Sequence, residues 1–128
     1  MTNSTFDGLK TVTILSLRKN FLESLSSLVF SSLTRVEELD LGQNRIRSVE
    51  ADTFTGLTNL RVLYLDDNDL QQVPTPALTP LPHLAELNLA LNNIKENCPP
   101  RLKYFCIKLK SFLLTNYFPN CLAASGPC

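Results

Sequence analysis

One histidine, His83, and four cysteines at positions 98, 106, 121 and 128 are the side chains best suited to nucleophilic or metal chemistry, and none has a useful spacing. No Ser or Cys nucleophile stands with a positioned His, and no Gly-rich phosphate loop is present. Structural zinc favours ligands two to four residues apart, whereas seven residues separate Cys98 from Cys106. Asp66, Asp67 and Asp69 lack the Asp-x-Asp-x-Asp-Gly order of a calcium loop. We therefore expect no enzyme, no cofactor and no metal. The remaining reactive character is acidic: Glu37, Glu38, Asp40, Asp66, Asp67 and Asp69 form a run beside a basic start at Arg18 and Lys19, with Val62, Tyr64 and Leu91 as apolar neighbours. Such a mixture suits non-covalent recognition, with an aromatic anchor inside a polar rim and acids that steer a basic partner.

The elements that must position these residues follow from a repeat. An asparagine recurs every 24 residues, at Asn20, Asn44, Asn68 and Asn92, within segments that fit L-x-x-L-x-L-x-x-N-x-L: VTILSLRKNFL, VEELDLGQNRI, LRVLYLDDNDL and LAELNLALNNI. The frame extends beyond them through Leu25, Val49 and Val73, through Phe6, Phe30, Phe54 and Leu78, and through Leu9, Leu33, Leu57 and Leu81. Alternation at the paired leucines (15 and 17, 39 and 41, 63 and 65, 87 and 89) predicts short strands, which stacked turns would pair in parallel. One turn alone cannot bury its apolar face, so stacking closes the core. An amide carries both donors and an acceptor, and can satisfy backbone groups of adjacent turns where the chain leaves the strand. The four asparagines are therefore read as structural, with no ligand.

From about Thr5 to Ile94 the chain resembles the leucine-rich-repeat family, in the 24-residue subclass of extracellular receptors and matrix proteins. The resemblance implies an α/β solenoid: a right-handed superhelix with short parallel strands on its concave face. Exposed strand positions are then the partner-binding candidates, namely Glu38, Asp40, Val62, Tyr64, Asp66, Asp67, Glu86 and Asn88. Tyr64 is the preferred anchor. Arg45, Arg47 and Arg61 are expected to balance the acids.

Residues 1–97 are assigned to the repeats and 98–128 to a cysteine-containing cap or decayed fifth repeat. Leu102, Phe105, Cys106, Leu109 and Leu113 keep a helical spacing after Pro99 and Pro100, predicting an amphipathic helix over 99–114 that covers the last repeat. In exported family members such caps pair first with third and second with fourth cysteine, which implies Cys98 with Cys121 and Cys106 with Cys128. Here the usual Pro-Trp and close Cys-x-Cys are missing, so reduced thiols in a cytosolic chain stay open. Asn3-Ser4-Thr5 is an N-glycosylation acceptor.

The chain is formally neutral, which gives no reason to expect nucleic acid as a partner. Residues 1–94 hold 7 Lys plus Arg against 11 Asp plus Glu, about −4, and residues 95–128 hold 5 against 1, about +4. No run approaches the roughly 18 apolar residues of a membrane span, and no signal peptide is visible. The first turn is expected to expose Phe6, Leu9 and Val12 edge-on, consistent with a truncated chain or with self-association through that end. The functional expectation is a protein-binding module of a secreted or cell-surface protein. The alternatives are an intracellular scaffold or truncated isoform, and a self-associating matrix component.

Overall fold

The computed structural model describes residue 2 and residues 4–94. Asn3, the four cysteines and the helix expected over 99–114 lie outside the described residues. Four three-residue strands, β1 (Ile14–Ser16), β2 (Glu38–Asp40), β3 (Val62–Tyr64) and β4 (Glu86–Asn88), form one parallel sheet in sequence order. Their register steps by the repeat: Leu15 lies beside Leu39, Leu39 beside Leu63, and Leu63 beside Leu87. The second leucine of each pair falls just past the strand yet keeps the ladder, as when Leu41 N donates to Tyr64 O at 2.9 Å and Leu65 N to Asn88 O at 2.9 Å.

Leaving the strand requires a reversal of hand. Lys19, Gln43, Asp67 and Leu91, one per repeat, have φ of 62°, 52°, 54° and 57°. A left-handed L-residue costs about 1–2 kcal/mol, and the following asparagine offsets it. Asn44 Oδ1 accepts from Asn20 N at 2.8 Å and Leu22 N at 3.0 Å, while its Nδ2 donates to the carbonyls of Leu17 and Leu41, both at 3.0 Å. Asn68 and Asn92 repeat this pattern one and two turns on, reaching back to Ile46 N and Leu70 N respectively. Asn20 differs: it is exposed and its side chain donates only to Arg18 O.

The core is a column of leucines behind the sheet and a file of aromatic rings on the return side. Phe6 stacks on Phe30 with centroids 5.7 Å apart, and Phe30 on Phe54 at 6.2 Å, with interplanar angles of 17° and 16°. Each such pair adds about 0.5–1.5 kcal/mol beyond burial. Phe6 is consequently buried, at 7% exposure, contrary to the expectation that it would stand edge-on; Leu9 is exposed at 42% and Val12 is half-buried. The ring lies flat on its neighbour, so its face is covered by the repeat that follows it.

The return segments are successive turns, except in the third repeat, where Pro74 precedes and Pro76 opens one helical turn, α1 (Thr75–Leu78). A proline within the first turn loses no hydrogen bond there. Backbones of neighbouring repeats approach closely at Gly56, with φ of 98°: a Cβ there would lie 2.5 Å from Ser31 O.

Candidate functional site

The pleat that buries Leu15, Leu39, Leu63 and Leu87 turns residues on either side of each leucine to the opposite face. Two columns result, Ile14–Glu38–Val62–Glu86 and Ser16–Asp40–Tyr64–Asn88, aligned by strand register. A third, Arg18–Gly42–Asp66–Ala90, follows just past the strands at the same 24-residue step.

That third column is closed by its own side chains. Arg18 Nη2 lies 2.6 Å from Asp66 Oδ2 and Nη1 lies 3.2 Å from Asp66 Oδ1, while Nη1 also reaches Asp40 Oδ1 at 2.9 Å. The guanidinium therefore crosses from the first repeat to the third over Gly42. A Cβ at Gly42 would stand 2.0 Å from Nη1 and 2.7 Å from Cζ, so the absence of a side chain there opens the passage. The Asp66 carboxylate, opposed by desolvation and aided by Asp40, raises the Arg18 pKa, which fixes its charge at every accessible pH. Asp66 is 8% exposed, a buried anchor rather than a free surface acid. Arg18 is the cation paired with Asp40 and Asp66, a role expected of Arg45, Arg47 and Arg61; Arg61 lines a cleft with Glu37, Glu38 and Glu86 without forming an ion pair among the described residues. Arg45 instead lies 4.9 Å from the centroid of the exposed Phe21 ring.

Two other expected site residues also hold the turn after the strand. Asp40 Oδ1 accepts from Gly42 N at 2.9 Å, and Asn88 Oδ1 accepts from Ala90 N at 3.0 Å. Asp67 is exposed in the left-handed turn position, with its backbone N–H donating to Ala90 O.

The first column is open. Ile14 is 64% exposed, Glu86 is exposed, and Glu38 and Val62 are half-buried. Together with Thr13 and Arg61 they line a cleft of about 330 Å³. A second cleft of about 470 Å³ shares Glu37, Arg61 and Ala85 with it and extends past His83 and Pro82. Ile14 and Arg61 were absent from the sequence-derived site. The 24-residue step from Val62 back through Glu38 puts Ile14 in the same exposed column, although it was not among the binding candidates. Tyr64 stands between the open and closed columns; burial first, then the charges of Glu38, Glu86, Asp40 and Asp66, push its phenol pKa up. It remains a neutral hydroxyl on a half-buried ring, suited to hydrogen bonding and apolar contact.

Among the described residues no three His, Cys, Asp or Glu side chains are grouped to hold a metal ion, and no helix is long and apolar enough to cross a membrane. The model of the leucine rich repeat matches residues 1–46 and 34–94. The chain belongs to the leucine-rich-repeat family. Its α/β solenoid is that of solved leucine-rich-repeat structures. The leucine-rich repeat domain of APL1B superposes with a TM-score of 0.70 at 20% identity, over 75% of this chain and 29% of that one. TLR13, in a complex with ssRNA13, gives 0.68 at 32% identity, over 73% of this chain and 14% of that one. Toll, in the glycosylated Toll–Spatzle complex of Drosophila, gives 0.60 at 30% identity, over 72% and 14%. The leucine-rich-repeat chain thus spans less than a third of each of these relatives. No curated protein matches it in sequence.

Proposed function

We propose that this chain is a protein-recognition module that binds a protein partner on its concave sheet, as part of a secreted or cell-surface protein. The observation that carries the reading is the open column. Ile14 and Val62 belong to the strands yet contribute nothing to the core behind them, and they line a cleft with Glu38, Glu86 and Arg61, with Tyr64 in the adjoining column. Uncovered apolar side chains with a polar rim and an aromatic neighbour are the ingredients of a protein interface. Toll, solved in a complex with Spatzle, is among the structures it resembles, which supports both a protein ligand and an exported setting. TLR13 is seen with ssRNA, but here the cleft carboxylates Glu38 and Glu86 would repel phosphates, and a protein partner is favoured.

The test is capture of binding partners with the full chain, its Val62→Arg variant and a Glu50→Arg control away from the concave face. A partner retained by the control and lost with Val62→Arg supports the reading; equal loss or equal retention in both overturns it. Setting is tested separately by counting free thiols in native protein, before and after reduction. Two disulfides among Cys98, Cys106, Cys121 and Cys128 support export, and four free thiols support the intracellular scaffold.

A second reading rests on Leu9, Ile14, Phe21 and Leu28, exposed at 42%, 64%, 72% and 37% around the first repeat. They suit self-association through that end. A sedimentation mass that stays monomeric across a wide concentration range would sink it.

A further inference from the structure

We propose that the open column selects a partner bearing an exposed Lys or Arg, whose cationic head sits between Glu38 and Glu86 with its aliphatic stem on Val62. This rests on the concave-face reading above and specifies its ligand. Three observations carry it.

First, register places Glu38 and Glu86 on the two strands flanking Val62, so their Cα atoms are two strand spacings apart, about 9–10 Å. Carboxylate side chains leaning inward from that separation can both reach a cation centred above Val62. Second, the same face already holds a guanidinium in this manner. Arg18 is bound by Asp40 and Asp66, carboxylates from consecutive repeats, with small Gly42 beneath it. In the open column the chain supplies the carboxylates and an apolar floor, but neither Glu38 nor Glu86 has an ion-pair partner within the described residues. Third, the cleft of about 330 Å³ over Ile14 and Val62 has room for a long side chain, whose methylenes would cover apolar surface while the charge stays at the rim. Arg61 is the competing cation: it lines the cleft, and its charge opposes entry of another.

The experiment is an NMR titration of the full chain with two capped peptides, Ser-Val-Arg-Val-Ser and Ser-Val-Glu-Val-Ser, following the Ile14 and Val62 methyl signals. The arginine peptide should produce saturable shifts with weak affinity, Kd on the order of 1 mM, that weaken with added salt. The glutamate peptide should produce none. Glu38→Gln with Glu86→Gln should weaken binding about tenfold while the methyl spectrum of the fold is retained, and Arg61→Gln should tighten it about threefold. Equal shifts from both peptides, no shift from the arginine peptide, or full binding by the double Gln variant overturns the proposal. These failures are distinct from failure of the broader reading. A partner lost with Val62→Arg but bound normally by the Gln variants leaves the concave interface standing and removes the cation from it.

Discussion

Two columns of the same face, four residues apart along each repeat, are finished in opposite ways. Past the C-terminal ends of the strands, Arg18, Gly42 and Asp66 form a clamp across three repeats in which charge meets charge inside the molecule. At the N-terminal ends, Ile14, Glu38, Val62 and Glu86 sit in the same register with neither charge nor apolar surface matched. The same stacked repeats thus support a structural column and a recognition column, and the difference lies in which side chains each repeat contributes. Stability and binding should accordingly respond to different substitutions.

The largest effect is expected at the clamp. Arg18→Met keeps the length and apolar stem but leaves Asp66, 8% exposed, without its cation. Breaking a buried pair by removing one partner costs 3–5 kcal/mol, and an exposed pair is worth under 1; this partly exposed pair falls at about 2–3 kcal/mol. Denaturant unfolding checks it. The equivalent change in the open column, Glu86→Gln, should stay within about 0.5 kcal/mol, since no partner is lost. Equal losses would erase the distinction between the columns.

Gly42→Ala sharpens the comparison further. The clashing atoms belong to the guanidinium and to Asp66 Oδ1, side-chain ends that can move, so the cost is displacement of the clamp, about 1–2 kcal/mol. The decisive measurement is the double variant. In an Arg18→Ala background the same alanine should be neutral or slightly stabilising, because the passage it blocks no longer carries a long side chain. Additive losses would show that Gly42 is needed for some other reason.

How much of this was legible in the sequence depends on the direction of the interaction. Everything set by the period was readable: the strand register, the leucine column and the asparagine ladder, because a 24-residue step fixes which residue lies beside which. Asn44 and Asn68 serve backbone groups of two turns, while the Asn20 side chain donates to Arg18 O. The clamp was missed although all three members were visible in one column. Arg45, Arg47 and Arg61 stand nearer the acids along the chain, but the acids' cation lies 22 residues from Asp40 and 48 from Asp66. Reach across an empty glycine position is a property of the stacked face, and only side-chain placement reveals it. Phe6 illustrates the same point from the core: its neighbour of consequence is Phe30, one repeat on, and that contact buries it. Nothing in the sequence marks Phe21 or Leu28 as left-handed, with φ of 57° and 58°.

The smallest effect reads both columns through one reporter. Tyr64 lies between them, and its phenol pKa is pushed above the ordinary value of about 10 by burial and then by Glu38, Glu86, Asp40 and Asp66. A raised pKa in the folded state means that the neutral form is favoured there. The associated stability is complete below about pH 10 and is lost as pH rises from there through the folded value. Subtracting the alkaline absorbance titration of Tyr64→Phe from that of the parent isolates this one ionisation. Glu38→Gln with Glu86→Gln removes anionic charge and should move the midpoint down. Arg18→Met uncovers Asp40 and Asp66 and should move it up. Shifts of opposite sign would establish that one column's carboxylates face the phenol uncompensated while the other's are neutralised by the clamp; shifts of the same sign would mean that the ring does not sense the two columns separately.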